Sequence, residues 1–340
     1  MGSDIGGILE KESIEFTDLA GRTIAIDAFN TIYQFLSIIR QPDGTPLMDS
    51  KHRVTSHLSG ILYRMTNLTE AGIRPVFVFD GTPPPFKAKT IEARAAAKEE
   101  AKLKMKEARE KGIEDVKMWA QATSKMTEEI LDGSKKLLGY MGIPVIQAPS
   151  EGEAEAAYLA KEGTVFAAGS QDYDALLFGA PHLVRNLTLS GRRKLPRKGI
   201  YISITPEIIE LRKTLSTLGI DRQKLAWIAI LVGTDYNEGV MGIGPKKGLA
   251  IAQKASSLKE AIAMAGAEYS SELGEIEEFY MKPPAKDVEI HFEEPKKDKI
   301  IDFLCGEHDF ALERIEKAIE RMSQKKEKAG KGQSSLGGWM

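Results

Sequence analysis

Pro75-Val76-Phe77-Val78-Phe79-Asp80-Gly81 is an apolar run that ends on an acid and a glycine. Its β-branched and aromatic residues, short length and turn-forming exit read as a strand buried on both faces. Working outward, Thr23-Ile24-Ala25-Ile26 repeats the pattern and is followed at once by Asp27. Pro144-Val145-Ile146 and Thr164-Val165-Phe166-Ala167-Ala168 read as further buried strands. Between them apolar residues fall at helical spacing, as at Leu58, Leu62, Met65 and Leu68, or Ile130, Leu137, Leu138 and Met141. Strand–helix alternation predicts an α/β fold, a mostly parallel central sheet with helices on both faces.

The chain has 340 residues, 42% of them hydrophobic, as expected of a globular protein. Cys305 is the only cysteine, which excludes an internal disulfide and a cysteine zinc site and fits a reducing, intracellular compartment. The N-terminus carries acids and lacks a signal-peptide pattern, and runs such as Ile228 to Val232 are too short to span a bilayer. A net charge of −2 argues neither for nor against nucleic acid; its distribution says more. Arg185 to Lys198 holds six basic residues and no acid, and Lys87 to Lys125 holds eleven basic against seven acidic.

Glu92 to Trp119 breaks the strand–helix rhythm. It is rich in Ala, Lys and Glu, helix-forming but without a wide apolar stripe, and by composition alone it reads as a solvated helix. Phe310, Leu312, Ile315, Ile319 and Met322 mark the apolar side of a late helix. Ser323 to Gly332 reads as a flexible Lys/Gly-rich linker before an apolar end at Leu336, Trp339 and Met340.

Acids follow the apolar segments repeatedly. Asp27 and Asp80 sit where two strands end, which in an open parallel sheet is where sites form. Each taken alone is equally a helix cap or a turn residue. Ser150-Glu151-Gly152-Glu153-Ala154-Glu155 follows Val145-Ile146; Ser150 with Glu153 matches a capping box, yet three alternating carboxylates repel unless a cation lies beside them. Asp172 and Asp174, spaced D-x-D after Ala168, can serve one cation if the backbone is extended. Asp235 follows Ile228–Val232, a run that could be a strand or a buried helix end. No histidine or cysteine accompanies this set. All-oxygen ligation selects Mg²⁺ or Mn²⁺, and so many carboxylates suggest two ions about 4 Å apart, the arrangement that clamps both oxygens of a phosphodiester displacement.

Together these segments resemble the flap endonucleases, and most closely their archaeal branch. The stretches that carry the resemblance are Ile26-Asp27-Ala28-Phe29-Asn30, Val78-Phe79-Asp80-Gly81, Ala148 to Ala154, Gly169-Ser170-Gln171-Asp172-Tyr173-Asp174 and Gly233-Thr234-Asp235-Tyr236, in the family's order and spacing. The resemblance implies a metal site of Asp27, Asp80, Glu151, Glu153, Asp172, Asp174 and Asp235 with two Mg²⁺ ions, for which Mn²⁺ can substitute. It implies that Lys87 and Arg94 face the scissile phosphate from the base of a helical arch over about 87–125. Charge stabilisation of that kind is often worth a few kcal/mol. Tyr33, by its residue type alone an ordinary core tyrosine, would stack the base beside the cut, and Gly2 would lie near the active site once Met1 is removed. Arg40, Arg192, Arg193 and Lys194 are further expected DNA contacts.

Gly239-Val240-Met241-Gly242-Ile243-Gly244-Pro245-Lys246-Lys247 is a glycine-rich turn entering a helix, with Pro245 suited to the first helical position. It resembles the family's helix–two-turn–helix element (about 225–255), in which Gly242, Gly244, Lys246 and Lys247 would meet duplex phosphates and K⁺ would sit in the turn. The tail Gln333-Ser334-Ser335-Leu336-Gly337-Gly338-Trp339-Met340 looks like a sliding-clamp-binding peptide in which Met340 fills the second aromatic position. The expected organisation is one nuclease core over 1–322, with nuclease regions at about 1–100 and 126–260 and a helical part at about 260–322. The linker over 323–332 and the clamp peptide over 333–340 follow. The expected partners are 5′-flapped DNA and the clamp, with the enzyme a monomer and no membrane involved. Three other readings compete: a 5′ exonuclease or bubble cutter, a non-catalytic junction binder, and a small-molecule phosphatase.

Overall fold

The computed structural model describes residues 2–88, 90–92, 96, 126–188, 192–194 and 201–331, and only the backbone of 192–194, 201–203 and 323–331. A seven-stranded sheet runs in the order β1 (Glu12–Ser13), β9 (Glu207–Glu210), β6 (His182–Arg185), β5 (Ala167–Gly169), β2 (Thr23–Asp27), β3 (Arg74–Phe79) and β4 (Val145–Gln147). The pairs from β6 through β5, β2 and β3 to β4 are parallel, while β9 lies antiparallel to β6 and β1. A separate antiparallel pair joins β7 (Arg192–Lys194) to β8 (Tyr201–Ser203).

Side-chain alternation in the central strands builds two cores. Ala25, Val76 and Val78 face one layer, with α4 (Gly152–Lys161), α5 (Asp174–Leu177), α7 (Arg222–Val232) and α10 (Ser271–Met281). Ile24, Ile26, Phe77 and Phe79 face the other, with α1 (Ala28–Ile38), α2 (Ser56–Glu70), α3 (Glu128–Tyr140) and α12 (Leu312–Lys331). The expected α/β sandwich is therefore present. The chain steps from β2 to β3 to β4 in one direction, then returns to place β5 and β6 on the other side of β2. Strand order reverses between β2 and β5, so a crevice opens beyond their carboxyl ends.

Three local readings change, and one that stood open is decided. The strand expected over 164–168 is confined to Ala167–Gly169, because the Val165 amide is used by Leu159 O at the end of α4. Ile228–Val232 ends helix α7, which Asp221 caps by accepting from the Lys224 amide at 2.8 Å; Leu225 to Leu231 are buried all round, which hides helical periodicity. The D-x-D backbone is not extended, since Asp174 opens α5. The segment 323–331, expected as a linker, continues α12 as helical backbone, in keeping with its Gln, Lys, Glu and Ala content.

Most of the expected arch, including Arg94, lies outside the described residues, as do Gln333, Leu336, Trp339 and Met340. No helix among the described residues is long and apolar enough to cross a membrane.

Candidate active site

The acids gather beyond the carboxyl ends of β2, β3, β4 and β5. Asp27 closes β2 and caps α1, its Oδ1 accepting from the Asn30 amide at 3.1 Å. It is thus a helix cap and a crevice acid at once. Asp80 leaves β3 and its Oδ1 accepts from the Gly152 amide at 2.7 Å, at the first turn of α4. The Gly81 amide donates to Ser150 O at 2.6 Å, which locks the exit of β3 against the entry of α4. A side chain at Gly81 would run into the carbonyls of Ala148 and Pro149, so glycine is required there.

The capping box expected of Ser150 and Glu153 does not form. The helix begins one residue later, with Glu151 at the cap position, and Glu153 instead accepts from Ser170 Oγ at 2.5 Å. Asp80, from a neighbouring strand, takes over part of the capping.

Asp172 and Asp174 follow β5. Asp172 Oδ2 accepts from Asn30 Nδ2 at 2.8 Å. Asp174 Oδ1 accepts from Ser3 Oγ at 2.6 Å and from the Ser3 amide at 2.9 Å. Gly2 sits against the same pair: a Cβ there would lie 2.8 Å from Asp172 Cβ and 3.1 Å from Asp174 Oδ1. The N-terminal stretch therefore closes onto the site, where Gly2 was expected.

Asp235 is carried by the loop after α7. Thr234 and Asn237 brace that loop through Thr234 Oγ1–Asn237 Oδ1 at 2.8 Å and Asn237 Nδ2 to Ile230 O at 2.7 Å. Lys87 pairs with Glu151 Oε2. Their sequence neighbours pack together: the Phe86 and Tyr236 rings meet edge to face at 5.1 Å, and both contact Phe279. One aromatic cluster thus holds the residues beside Lys87 and Asp235.

The electrostatics mark the acids as one group. Burial first, then Asp80, Asp172 and Glu151, push the Asp27 carboxyl well above the usual range. Burial, then Asp27, Asp174 and Asp172, do the same to Glu153. Burial raises Asp174 to about 6, with Asp235 and Asp172 adding to the rise and Ser3 opposing it. Asp80 and Glu151 are raised by burial too, and each has Asp235 as a further neighbour. Burial opposes the charge on Lys87, but Glu151, Asp80 and Asp235 outweigh it and hold the ammonium above its ordinary range.

All seven predicted acids thus share one crevice, although among the described residues no three are drawn into a ready-made metal cage. Burial first, and repulsion between neighbours second, hold back ionisation of Asp27, Asp80, Glu151, Glu153 and Asp174; an all-carboxylate set of this kind suits a hard divalent cation, whose charge would offset that penalty.

The remaining predicted residues fall elsewhere. Tyr33 on α1 is 40% exposed, so it is a surface tyrosine and not a core one. Arg40 donates to Gly44 O at 2.8 Å in the loop after α1. Gly242 (φ +80°) and Gly244 stand in open space at the entry of α8 (Pro245–Lys254), with Gly244 at its N-cap. Lys246 and Lys247 are exposed on its first turn, and Lys247 Nζ donates to Gly242 O at 3.0 Å. Arg192, Arg193 and Lys194 form β7. Sequence reasoning gave no role to Ser3, Asn30 or Ser170, because single serines and asparagines carry no pattern of their own.

Two family models match the chain: the XPG N-terminal domain over residues 6–101 and the XPG I-region over 142–235. Flap endonuclease 1 of Pyrococcus abyssi is 54% identical over 100% of this chain and 98% of its own length. The structure of flap endonuclease-1 from Methanococcus jannaschii superposes with a TM-score of 0.75 at 40% identity, covering 95% of this chain and 98% of that one. The catalytic core of Rad2, solved in complex with a DNA substrate, shares the fold with a TM-score of 0.67 at 24% identity, over 94% of this chain and 97% of that chain. By full-length similarity the chain belongs to the flap endonuclease 1 family of XPG-type nucleases.

Proposed function

We propose that this chain is a structure-specific DNA endonuclease that removes 5′ flaps at duplex junctions, with accompanying 5′–3′ exonuclease activity, in replication and repair. The observation that carries the reading is the convergence of Asp27, Asp80, Glu151, Glu153, Asp172, Asp174 and Asp235 at one end of the sheet, beside Lys87.

These carboxylates would hold two Mg²⁺ ions, with Mn²⁺ able to substitute. Divalent ions held there would supply an activated water at neutral pH and offset charge at the reacting phosphate. Glu151 keeps Lys87 charged and in place, and the ammonium stabilises the scissile phosphate as its charge develops. Arg94 shares that role from the arch. Gly2 lies against the D-x-D pair, where a side chain would meet Asp172 and Asp174.

Substrate choice follows from shape. Tyr33 offers an exposed ring to the base beside the cut, a contact indifferent to sequence. Arg40, the strand Arg192–Lys194 and the turn around Gly242, Gly244, Lys246 and Lys247 would meet phosphates, and that turn would hold K⁺. The tail from Gln333 through Leu336, Trp339 and Met340 binds the sliding clamp. The enzyme acts as an intracellular monomer.

Cleavage of a free 5′ flap, an end-blocked flap and a continuous bubble of the same sequence tests the reading. Preference for the free flap, leaving a ligatable 5′-phosphate, is expected. Equal cutting of the bubble would favour a bubble nuclease instead.

A further inference from the structure

Three neutral side chains outside the acidic set end on its carboxylates. Ser3 gives both its hydroxyl and its amide to Asp174 Oδ1, at 2.6 and 2.9 Å. Asn30 Nδ2 donates to Asp172 Oδ2 at 2.8 Å. Ser170 Oγ donates to Glu153 Oε1 at 2.5 Å and accepts from the Asp172 amide at 3.1 Å. The donors come from three separate places: the N-terminal stretch, the first turn of α1 and the exit of β5. Ser3 is 2% and Ser170 7% exposed, so packing fixes both hydroxyls.

The chemistry of these partners is selective. A hydrogen bond to one oxygen fixes the rotation of a carboxylate. A lysine or arginine in the same place would fix it too, but would also cancel the negative charge that attracts a cation. Serine and asparagine orient without neutralising. Lys87 does the opposite at Glu151, on the side of the crevice nearest Asp80 and Asp235. Neutral side chains thus donate to Asp174, Asp172 and Glu153, while a cationic side chain pairs with Glu151.

We infer that Ser3, Asn30 and Ser170 are positioning residues that hold Asp174, Asp172 and Glu153 oriented for a divalent cation; the inference rests on the metal-dependent reading above. Partners one layer behind a metal ligand are typically worth about 10–100-fold in metal affinity or activity.

The test is titration of Mn²⁺ into the DNA-free, full-length protein, followed by electron paramagnetic resonance, for wild type, Ser3→Ala, Ser3→Thr, Asn30→Ala, Ser170→Ala and Asp174→Ala. Flap affinity in EDTA is measured alongside. Mn²⁺ affinity about 10-fold weaker in the three alanine variants, recovery in Ser3→Thr and unchanged flap affinity in EDTA are expected. Wild-type Mn²⁺ affinity in Ser3→Ala, Asn30→Ala and Ser170→Ala overturns the inference while leaving the metal reading intact. If Asp174→Ala also binds as wild type does, the metal reading falls with it. Ser170→Ala and Asn30→Ala lie on other elements and decide the matter should Ser3→Ala loosen the N-terminal stretch.

Discussion

The Gly152 amide donates to Asp80 Oδ1 at 2.7 Å, so a helix that carries two of the acids is capped by a third from the neighbouring strand. The contact leaves no room for a side chain: a Cβ on Gly152 would lie 2.8 Å from Asp80 Oδ1 and 3.1 Å from Val78 O. Gly152→Ala is expected to displace Asp80 and slow single-turnover cleavage about 100-fold, as small misplacements at reacting centres do. Cleavage at the wild-type rate would show that Asp80 does not need this seat.

Lys87 pairs directly with Glu151, a member of the acidic set. Lys87→Ala is expected to lower the cleavage rate by about 100- to 1,000-fold, the usual loss for one charge-stabilising donor. Junction affinity, read by fluorescence anisotropy, should change little by comparison. A large loss of affinity with little loss of rate would make Lys87 a binding residue only.

Asp174 sets a stability prediction whose sign is the reverse of the usual carboxylate case. Its folded-state value, about 6, lies above the ordinary 3.8, so the native state holds the proton more tightly than the unfolded chain. Stability is full below the unfolded value and falls as pH rises through about 6. Asp174→Asn should therefore raise the melting temperature of the metal-free protein at pH 7.5 while abolishing cleavage. An unchanged or lower melting temperature would contradict the cost assigned to burying Asp174 charged beside Asp235 and Asp172.

Away from the site, His57 and Asp49 predict loss of stability in acid. His57 is buried, and its Nδ1 has no hydrogen-bond partner. Burial, then the nearby His308, lowers it to about 3. Its contribution is present above the unfolded value of 6.5 and is eroded as pH falls toward 3, by on the order of 2 kcal/mol at pH 5. Burial opposes ionisation of Asp49, but the Arg53 amide, His308 and the Arg53 side chain outweigh it and hold Asp49 at about 2. Its contribution is lost only below pH 3.8, as pH falls through about 2. Urea unfolding at pH 7 and pH 5 should show a smaller loss in His57→Leu than in wild type. Equal losses would exclude His57 as the source.

The central strands are legible because both of their faces are buried, which makes each a short unbroken apolar run. Val76 and Val78 face one core, Phe77 and Phe79 the other; β2 ends on Asp27 and β3 stops just before Asp80. Asp27 shows why alternatives stayed open: its two readings, cap and crevice acid, are both satisfied by one side chain. Ile228–Val232 could not be assigned from periodicity, because a helix buried on all sides has none to show. Ser150 was misassigned because capping was judged from the local sequence, whereas Asp80, distant in sequence, supplies the cap. Ser3 and Asn30 were invisible for the same reason: their partners lie 171 and 142 residues away.

The most direct test of the account is cleavage of a 5′-labelled flap substrate with Mg²⁺ and with EDTA, read by product length on a denaturing gel. One discrete Mg²⁺-dependent product is expected, of flap length or one nucleotide longer, lost in Asp27→Ala and Asp174→Ala while junction binding survives. Junction binding with no cut in either Mg²⁺ or Mn²⁺, or near-wild-type turnover by either variant at saturating Mg²⁺, would contradict it.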